Sequence, residues 1–211
     1  MAYSYTGVFP NQQLKNSGVF TTADALNLQA VGEWGGTLEH IQTQTISSDV
    51  AQVDFTAIKE SKYDVHKLEI INAVSDTDDK DFSLRVSVGG TFDTGANYHR
   101  TLYSLTANGT EAYSYATTAT QMDFTLNSGN ASNEKTNSYI YIYEAGNSAT
   151  MTFNTNQSTI INADGYTKTV LGGGLYDQTG TVDGFRIFMD NSGDIASGVF
   201  KLYGIKQLWV T

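Results

Sequence analysis

From Leu38 onward the chain alternates between short runs of apolar and polar residues and clusters of Gly, Asn, Asp and Ser. The clearest run is Phe82–Val88, in which every second residue is apolar. Because successive side chains of a strand point to opposite faces, this run predicts a strand with one buried face and one solvated face. Residues 122–126, 151–153 and 185–189 repeat the pattern.

Further stretches with weaker alternation are also predicted as strands: residues 38–46, 65–73, 98–105, 138–144, 167–171 and 199–210. About ten strands with turn-rich gaps predict an all-β fold, a two-sheet antiparallel β-sandwich of jelly-roll-like type. In the last stretch both alternating sets contain apolar residues, which is typical of a strand covered on both faces. We therefore expect the C-terminal strand to complete the core.

Residues 1–37 lack a sustained two-residue period and contain the only proline, Pro10. We interpret residues 1–37 as an N-terminal attachment arm and residues 38–211 as the β-sandwich domain. One short helix is predicted in the arm over residues 23–31, with Thr22 as N-cap and Gly32 at its C-terminal end. A helix of this length is marginal in isolation and must pack against something. It docks onto neighbouring subunits or wraps back onto its own domain, and the sequence leaves both alternatives open.

Ordering the arm costs about 1–2 kcal/mol of backbone entropy per residue, and the arm has few apolar residues to offset that cost. Other surfaces must then contribute burial, which predicts a homo-oligomer, with a trimer favoured, or binding to another particle protein. The expected partner contacts are the large apolar residues of the arm: Phe9, Phe20, Leu26, Leu28 and Trp34.

Composition narrows the choice of partners. Hydrophobic residues make up 40% of the chain and charged residues 16%, enough apolar material for a core. The net charge of −10 repels phosphate backbones and anionic lipid, so neither nucleic acid binding nor membrane insertion is expected. The sequence has no cysteine and no secretory signal pattern at its start, which fits synthesis in a reducing cytoplasm.

Motifs for catalysis or cofactor binding are missing from the sequence. His40, His66 and His99 lie far apart, without metal-ligand spacing, and no G-x-S-x-G elbow occurs. We therefore predict no catalytic residue, no cofactor and no metal ligand. The acidic residues 76–81, from Asp76 to Asp81, resemble part of a calcium loop but lack its glycine and bidentate glutamate. A solvated hairpin loop is favoured there, and a weak Ca²⁺ site stays open.

Strand alternation places Tyr139, Tyr141 and Tyr143 on one face and Ile140 and Ile142 on the other. The isoleucines are predicted core residues. The tyrosines suit glycan stacking or a subunit contact, because tyrosine combines apolar area with a polar tip. The alternative is a strand covered on both sides by the sandwich and the arm.

Two regions resemble a known family. Residues 53–58 (Val-Asp-Phe-Thr-Ala-Ile) and 63–70 (Tyr-Asp-Val-His-Lys-Leu-Glu-Ile) resemble the opening of small virion proteins of marine and environmental bacteriophages. Residues 184–188 and 195–205, with Ser197-Gly198 and Leu202-Tyr203-Gly204-Ile205, are similar to the C-terminal signature of that family. The resemblance covers roughly residues 38–206. Residues 16–20 also look like the attachment segments of phage tail proteins.

The resemblance implies a structural protein of the virion, made in the host cytoplasm, and no enzyme. We expect an external tail component, a fibre, spike or adhesin module, which docks through its arm and contacts a host-surface glycan. A capsid decoration (cement) protein is the alternative. A polysaccharide depolymerase is the third hypothesis, since paired acids across a cleft leave no sequence signature.

Deletion of residues 1–37 is expected to leave a folded sandwich that no longer enters particles, because the alternating pattern begins only at Leu38. Thermal unfolding followed by circular dichroism, and the amount of protein in purified particles, measure the two effects. A melting temperature far below that of the full chain would place the arm in the core and contradict the boundary.

Overall fold

A computed structural model describes residues 21–23 and 37–205. The described part of the sandwich region contains these strands: β1 (Leu38–Ile46), β2 (Gln52–Phe55), β3 (Val65–Ser75), β4 (Phe82–Val88), β5 (Thr91–Phe92), β6 (Tyr98–Thr106), β7 (Glu111–Ala119), β8 (Met122–Asp123), β9 (Thr136–Tyr143), β10 (Thr152–Ile161), β11 (Thr167–Tyr176), β12 (Val182–Met189) and β13 (Ile195–Ile205). Within these ranges no helix is long and apolar enough to cross a membrane.

The strands form two antiparallel sheets of unequal width. The large sheet has eight strands in the order β1-β13-β3-β9-β10-β11-β6-β7. The small sheet has the order β2-β12-β4, and both β5 and β8 pair with the free edge of β4. The chain passes alternately between the sheets from β1 to β4 and again from β12 to β13. The predicted two-sheet antiparallel sandwich is thus confirmed for the described residues.

The arm lies almost entirely outside the described residues. This holds for the predicted helix beyond Ala23 and for the five expected partner contacts, Phe9, Phe20, Leu26, Leu28 and Trp34. The division into an arm of residues 1–37 and a domain of residues 38–211 stays a prediction.

The main core lies between the small sheet and the central strands of the large sheet. Leu68, Ile140 and Phe200 of the large sheet and Leu84 and Phe185 of the small sheet are at most 1% exposed. Each such side chain contributes about 1.5–3 kcal/mol through removal of apolar area from water. β13 lies between β1 and β3 and buries Phe200 and Leu202, as expected for a strand that completes the core. The cover predicted for its second face is not seen among the described residues, where Lys201 and Tyr203 are half-buried.

The second face of β4 is less solvated than its alternation predicts. Ser83 is buried and donates to Asp123 Oδ1 at 2.7 Å, and Ser87 donates to Asp183 Oδ1 at 2.6 Å. Arg85 lies 4.3 Å above the ring of Phe188. The expectation of a uniformly wet face was therefore wrong, because neighbouring segments supply polar partners there.

Residues 122–128, which we call the strap, connect the two sheets. The strap is tied to β4, since Phe124 N donates to Phe82 O at 2.9 Å. On its other side Ser158 Oγ donates to Phe124 O at 2.6 Å, and Lys168 Nζ donates to Leu126 O at 3.1 Å. These side chains belong to β10 and β11, which extend the large sheet beyond the small one.

Next to the strap, β10 has polar side chains on its inner face and an apolar side chain on its outer face. Residues 152, 154, 156 and 158 are polar and buried, whereas Phe153 is 47% exposed and Met151 37% exposed. The sequence pattern predicted the opposite orientation for Met151 and Phe153 and was wrong. The inward side chains of β10 are polar because an irregular segment carries carbonyl groups that no strand partner satisfies, and a buried carbonyl without a donor is costly.

Close packing at the strap also requires glycine on β11. A Cβ added at Gly174 would lie 2.4 Å from the carbonyl oxygen of His99 and 3.2 Å from Met122 Sδ. Both distances are shorter than ordinary carbon contacts, so glycine allows β6 and the strap to approach β11.

Ser158→Ala is expected to lower the free energy of unfolding by about 1–3 kcal/mol, because the buried Phe124 carbonyl loses its short hydrogen bond. Urea unfolding measures the change. The matched control is Thr159→Ala, one residue further on the exposed face of the same strand, with an expected change within about 0.5 kcal/mol. Equal effects at the two positions would contradict the role of the strap.

Candidate binding face

The outer face of β9 carries the three tyrosines singled out from the sequence. Tyr139 is 39% exposed, and Tyr141 and Tyr143 are half-buried. Ile140 and Ile142 point the other way and are 1% exposed, so they belong to the core. Among the described residues no strand covers the tyrosines, and the alternative of a cover by the arm lies outside the described residues.

The register of the large sheet adds four tyrosines from three other strands. Tyr203 is opposite Lys67, which is opposite Tyr141, and Tyr103 is opposite Tyr113. We call this outer surface of the eight-stranded sheet the tyrosine face; its tyrosines are Tyr103, Tyr113, Tyr115, Tyr139, Tyr141, Tyr143 and Tyr203. Tyr113 and Tyr115 are 66% and 79% exposed.

Sequence reasoning missed Tyr103, Tyr113, Tyr115 and Tyr203. The alternation Tyr113-Ser114-Tyr115 carries the same signal as β9, an aromatic residue at every second position of a strand. The other two become visible only through strand pairing, because they are far from β9 in the sequence.

Hydrogen bonds and ring contacts hold the tyrosines of β9 in place. Tyr139 Oη donates to Gln157 Oε1 at 2.5 Å, and Tyr143 Oη is 3.1 Å from Thr155 Oγ1. The rings of Tyr139 and Tyr141 meet edge to face at 5.9 Å. The aromatic side chains are therefore oriented before any ligand arrives, which reduces the entropy lost on binding.

The charges of the tyrosine face cancel. Lys67 Nζ lies 2.6 Å from Glu69 Oε1, and this hydrogen bond raises the pKa of Lys67. The outward positions of the described strands carry one further lysine, Lys201, and one further glutamate, Glu111. The face is thus near neutral on a chain of net charge −10, which favours an uncharged partner.

One end of the tyrosine face is a continuous apolar row. Its members pair successively across six strands: Leu38, Ile205, Val65, Tyr143, Phe153 and Leu175. Leu38 and Phe153 are 44% and 47% exposed. Aromatic and aliphatic area of this kind is typical of a contact surface.

The three histidines are not brought together. His40 packs against Tyr203, and His99 lies 3.4 Å from Asp177. His66 is fully buried, where desolvation lowers its pKa and Nε2 bonds to the Ile58 carbonyl. Residues 21–23 and 37–205 contain no group of three or more side chains that could hold a metal ion.

The acidic turn of residues 76–81 is joined to a second acidic turn, residues 190–194. Asp194 N donates to Asp76 Oδ1 at 2.7 Å, and Asp76 N donates to Asp194 O at 2.9 Å. At the other end of the turns Asp81 N donates to Asp190 Oδ1 at 2.8 Å. The segment of residues 76–81 is thus more constrained than the solvated hairpin loop expected from the sequence.

A cleft of about 500 Å³ lies beside the strap, and Asp78, Asp79, Asp164 and Lys168 line it. Burial lowers the pKa of Lys168. Its amine donates to Leu126 O and to Asn127 Oδ1, both at 3.1 Å. We therefore assign Lys168 to the support of the strap.

Two acids lie at the strap: Asp123 belongs to it and is buried, and Asp81 lies beside it and is half-buried. Asp123 Oδ2 lies 2.8 Å from Arg100 Nη1, yet burial raises the pKa of Asp123. Burial, with repulsion from Asp123 and Asp190, raises the pKa of Asp81 to about 7, although Asn127 N donates to its carboxylate. The folded protein therefore favours the protonated form of Asp81.

Asp81→Asn is expected to stabilise the protein at pH 8 and to have little effect at pH 4. The pKa of Asp81 is higher in the folded state than the unfolded value of about 3.9, so its ionisation destabilises the fold progressively as pH rises from 4 to 7. Asparagine keeps an acceptor for Asn127 N without the charge.

Because Asp81 is partly exposed, we expect only about 1–3 kcal/mol of added stability at pH 8. Urea unfolding of both proteins across the pH range measures it. Asp183→Asn, on β12, is the control and should not reproduce the pH dependence. A constant difference between pH 4 and pH 8 would contradict the raised pKa.

Comparison with known proteins does not add to this geometry. No protein family model matches the chain, and no curated protein matches it. Function is therefore argued from the tyrosine face itself.

Proposed function

We propose that this chain is a non-enzymatic structural protein of a bacteriophage virion, most simply an external tail component that contacts the host surface through its tyrosine face. The observation that carries the proposal is a near-neutral surface with tyrosines on four strands of the eight-stranded sheet. The two-sheet sandwich provides a rigid base, and tyrosines offer contact area at low conformational cost. The resemblance of residues 38–206 to virion proteins supports the same role.

The path of the chain supports attachment through the arm. β1 begins at Leu38 and is paired with Ile205 at the end of β13, so the arm joins the sandwich at one end of the large sheet. The strands then extend away from that junction. We propose that the arm docks on the particle, in a homo-oligomer for which a trimer is favoured.

The arrangement of carboxylates supports a role without catalysis. Glu69 and Glu111 are the acids at outward positions of the eight-stranded sheet, and five strand spacings separate them, about 24 Å. Glycosidases need their two carboxyl groups about 5–10 Å apart. Glu69 is also paired with Lys67. On the tyrosine face, a depolymerase is thus the weaker alternative.

A capsid decoration protein remains the second candidate, with the tyrosine face as the surface that binds the head or another copy. The apolar row from Leu38 to Leu175 favours it, because contacts between subunits bury such area.

Purified phage particles are expected to contain this chain at the tail, in a copy number set by tail symmetry. Immunogold electron microscopy and quantitative mass spectrometry measure position and copy number. Labelling spread over the head would favour the decoration protein. Absence from the particle would overturn the proposal, and release of reducing sugar from host polysaccharide by the purified protein would establish an enzyme instead.

A further inference from the structure

We propose that a depression beside Tyr139 is a binding subsite for an uncharged oligosaccharide, which then runs across the large sheet over the tyrosine face. The inference rests on the proposed contact role of that face and names the ligand class. The depression has a volume of about 380 Å³, and Lys67, Glu69, Asn137, Tyr139 and Gln157 are among its lining residues.

A bulge in β3 forms the depression. The pairing of β3 with β9 is regular up to Ile70 and shifts before Ala73. Asn72 lies within the bulge with a φ of 52°, and its backbone N–H donates to Asn137 Oδ1 at 3.0 Å. The bulge interrupts the flat sheet next to Tyr139, which gives a ligand a place beside the ring.

At the depression, the side-chain amides of Asn137 and Gln157 each accept a hydrogen bond through the oxygen. Asn137 Oδ1 accepts from Asn72 N, and Gln157 Oε1 accepts from Tyr139 Oη. Within the described chain, no protein acceptor within hydrogen-bond distance takes the nitrogen of either amide. The backbone N–H of Asn72 can only donate, so it fixes which end of the Asn137 amide is the free donor. One fixed donor, the Asn137 amide nitrogen, and a second amide group at Gln157 lie beside an aromatic ring, and they match the hydroxyl groups and the apolar face of a sugar.

Electrostatics selects the class of sugar. Lys67 and Glu69 form an ion pair in the wall of the depression, so neither sign of charge is attractive there. The chain carries a net charge of −10, which repels acidic polysaccharides. A neutral oligosaccharide encounters neither penalty, and the Glu69 carboxylate adds an acceptor for its hydroxyl groups.

The register extends the subsite into a track. Residues opposite one another across six strands form a single row: Glu69, Tyr139, Gln157, Leu171, Tyr103 and Tyr113. The row spans about 24 Å at the usual strand spacing. It provides an aromatic side chain near each end, which suits an extended oligosaccharide rather than a monosaccharide.

The test is titration of the full chain with cellohexaose, maltohexaose and N-acetylchitohexaose, with polygalacturonate as an acidic probe. Saturation-transfer NMR detects binding, and the chemical shifts of the protein give affinities. We expect at least one neutral probe to bind and polygalacturonate not to bind. Tyr139→Ala should weaken binding by about tenfold or more, equivalent to about 1.4 kcal/mol.

The control is Tyr166→Ala, which removes a 46% exposed tyrosine in the turn between β10 and β11 and should leave the affinity unchanged. Circular dichroism establishes that both variants fold. Failure of all three neutral probes to bind would overturn the inference, as would equal loss in the two variants or preferential binding of polygalacturonate.

Particle incorporation separates this inference from the proposed function. Tyr139→Ala should enter particles as the unaltered chain does. Loss of Tyr139→Ala from particles, with the Tyr166→Ala control retained, would identify the depression as an assembly contact and overturn the sugar subsite while leaving the virion role intact.

Discussion

The unequal width of the two sheets is the constraint on which the rest of the structure depends. The small sheet covers only the central strands of an eight-stranded partner, so the inner faces of β10, β11 and β6 need another cover. The strap supplies it, but as irregular backbone it brings carbonyl groups into a buried place. Ser158 and Lys168 satisfy two of those carbonyls, and glycine on β11 provides the clearance. Polar side chains are thus structural on the inside of this half of the molecule.

The same constraint shapes the outer surface. Since the inner positions of β10 serve the strap, the apolar side chain of Phe153 points outward and joins the tyrosines of neighbouring strands. Few acids lie on this outer surface. Several lie instead in turns and beside the strap, where their carboxylates accept hydrogen bonds from backbone N–H groups. A neutral aromatic face therefore exists on an acidic protein.

How far the sequence predicts this structure depends on what each strand packs against. β4, β9 and β12 pack against another sheet, so period-two alternation identified their inner faces. In β13 both alternating sets contain apolar residues, and the pattern did not separate the inner face from the outer one. β10 packs against backbone, and there the rule that apolar residues are buried failed at Met151 and Phe153. β2, β5 and β7 were missed: β2 and β5 have only four and two residues, and β7 has polar and aromatic residues but few aliphatic ones. Tyr139, Tyr141 and Tyr143 were found because they lie on one strand, whereas the depression beside them needs Glu69 and Gln157 from two other strands.

The pairing of Leu38 with Ile205 has a mechanical consequence. Any tension transmitted through residues 1–37 enters the sandwich at the first residue of β1, an edge strand whose neighbour in the sheet is β13. A pull along the strand axis loads the hydrogen bonds of β1 simultaneously in shear, whereas a sideways pull breaks them one after another, starting at Leu38. The resistance of the module to force therefore depends on the direction in which its tether is held.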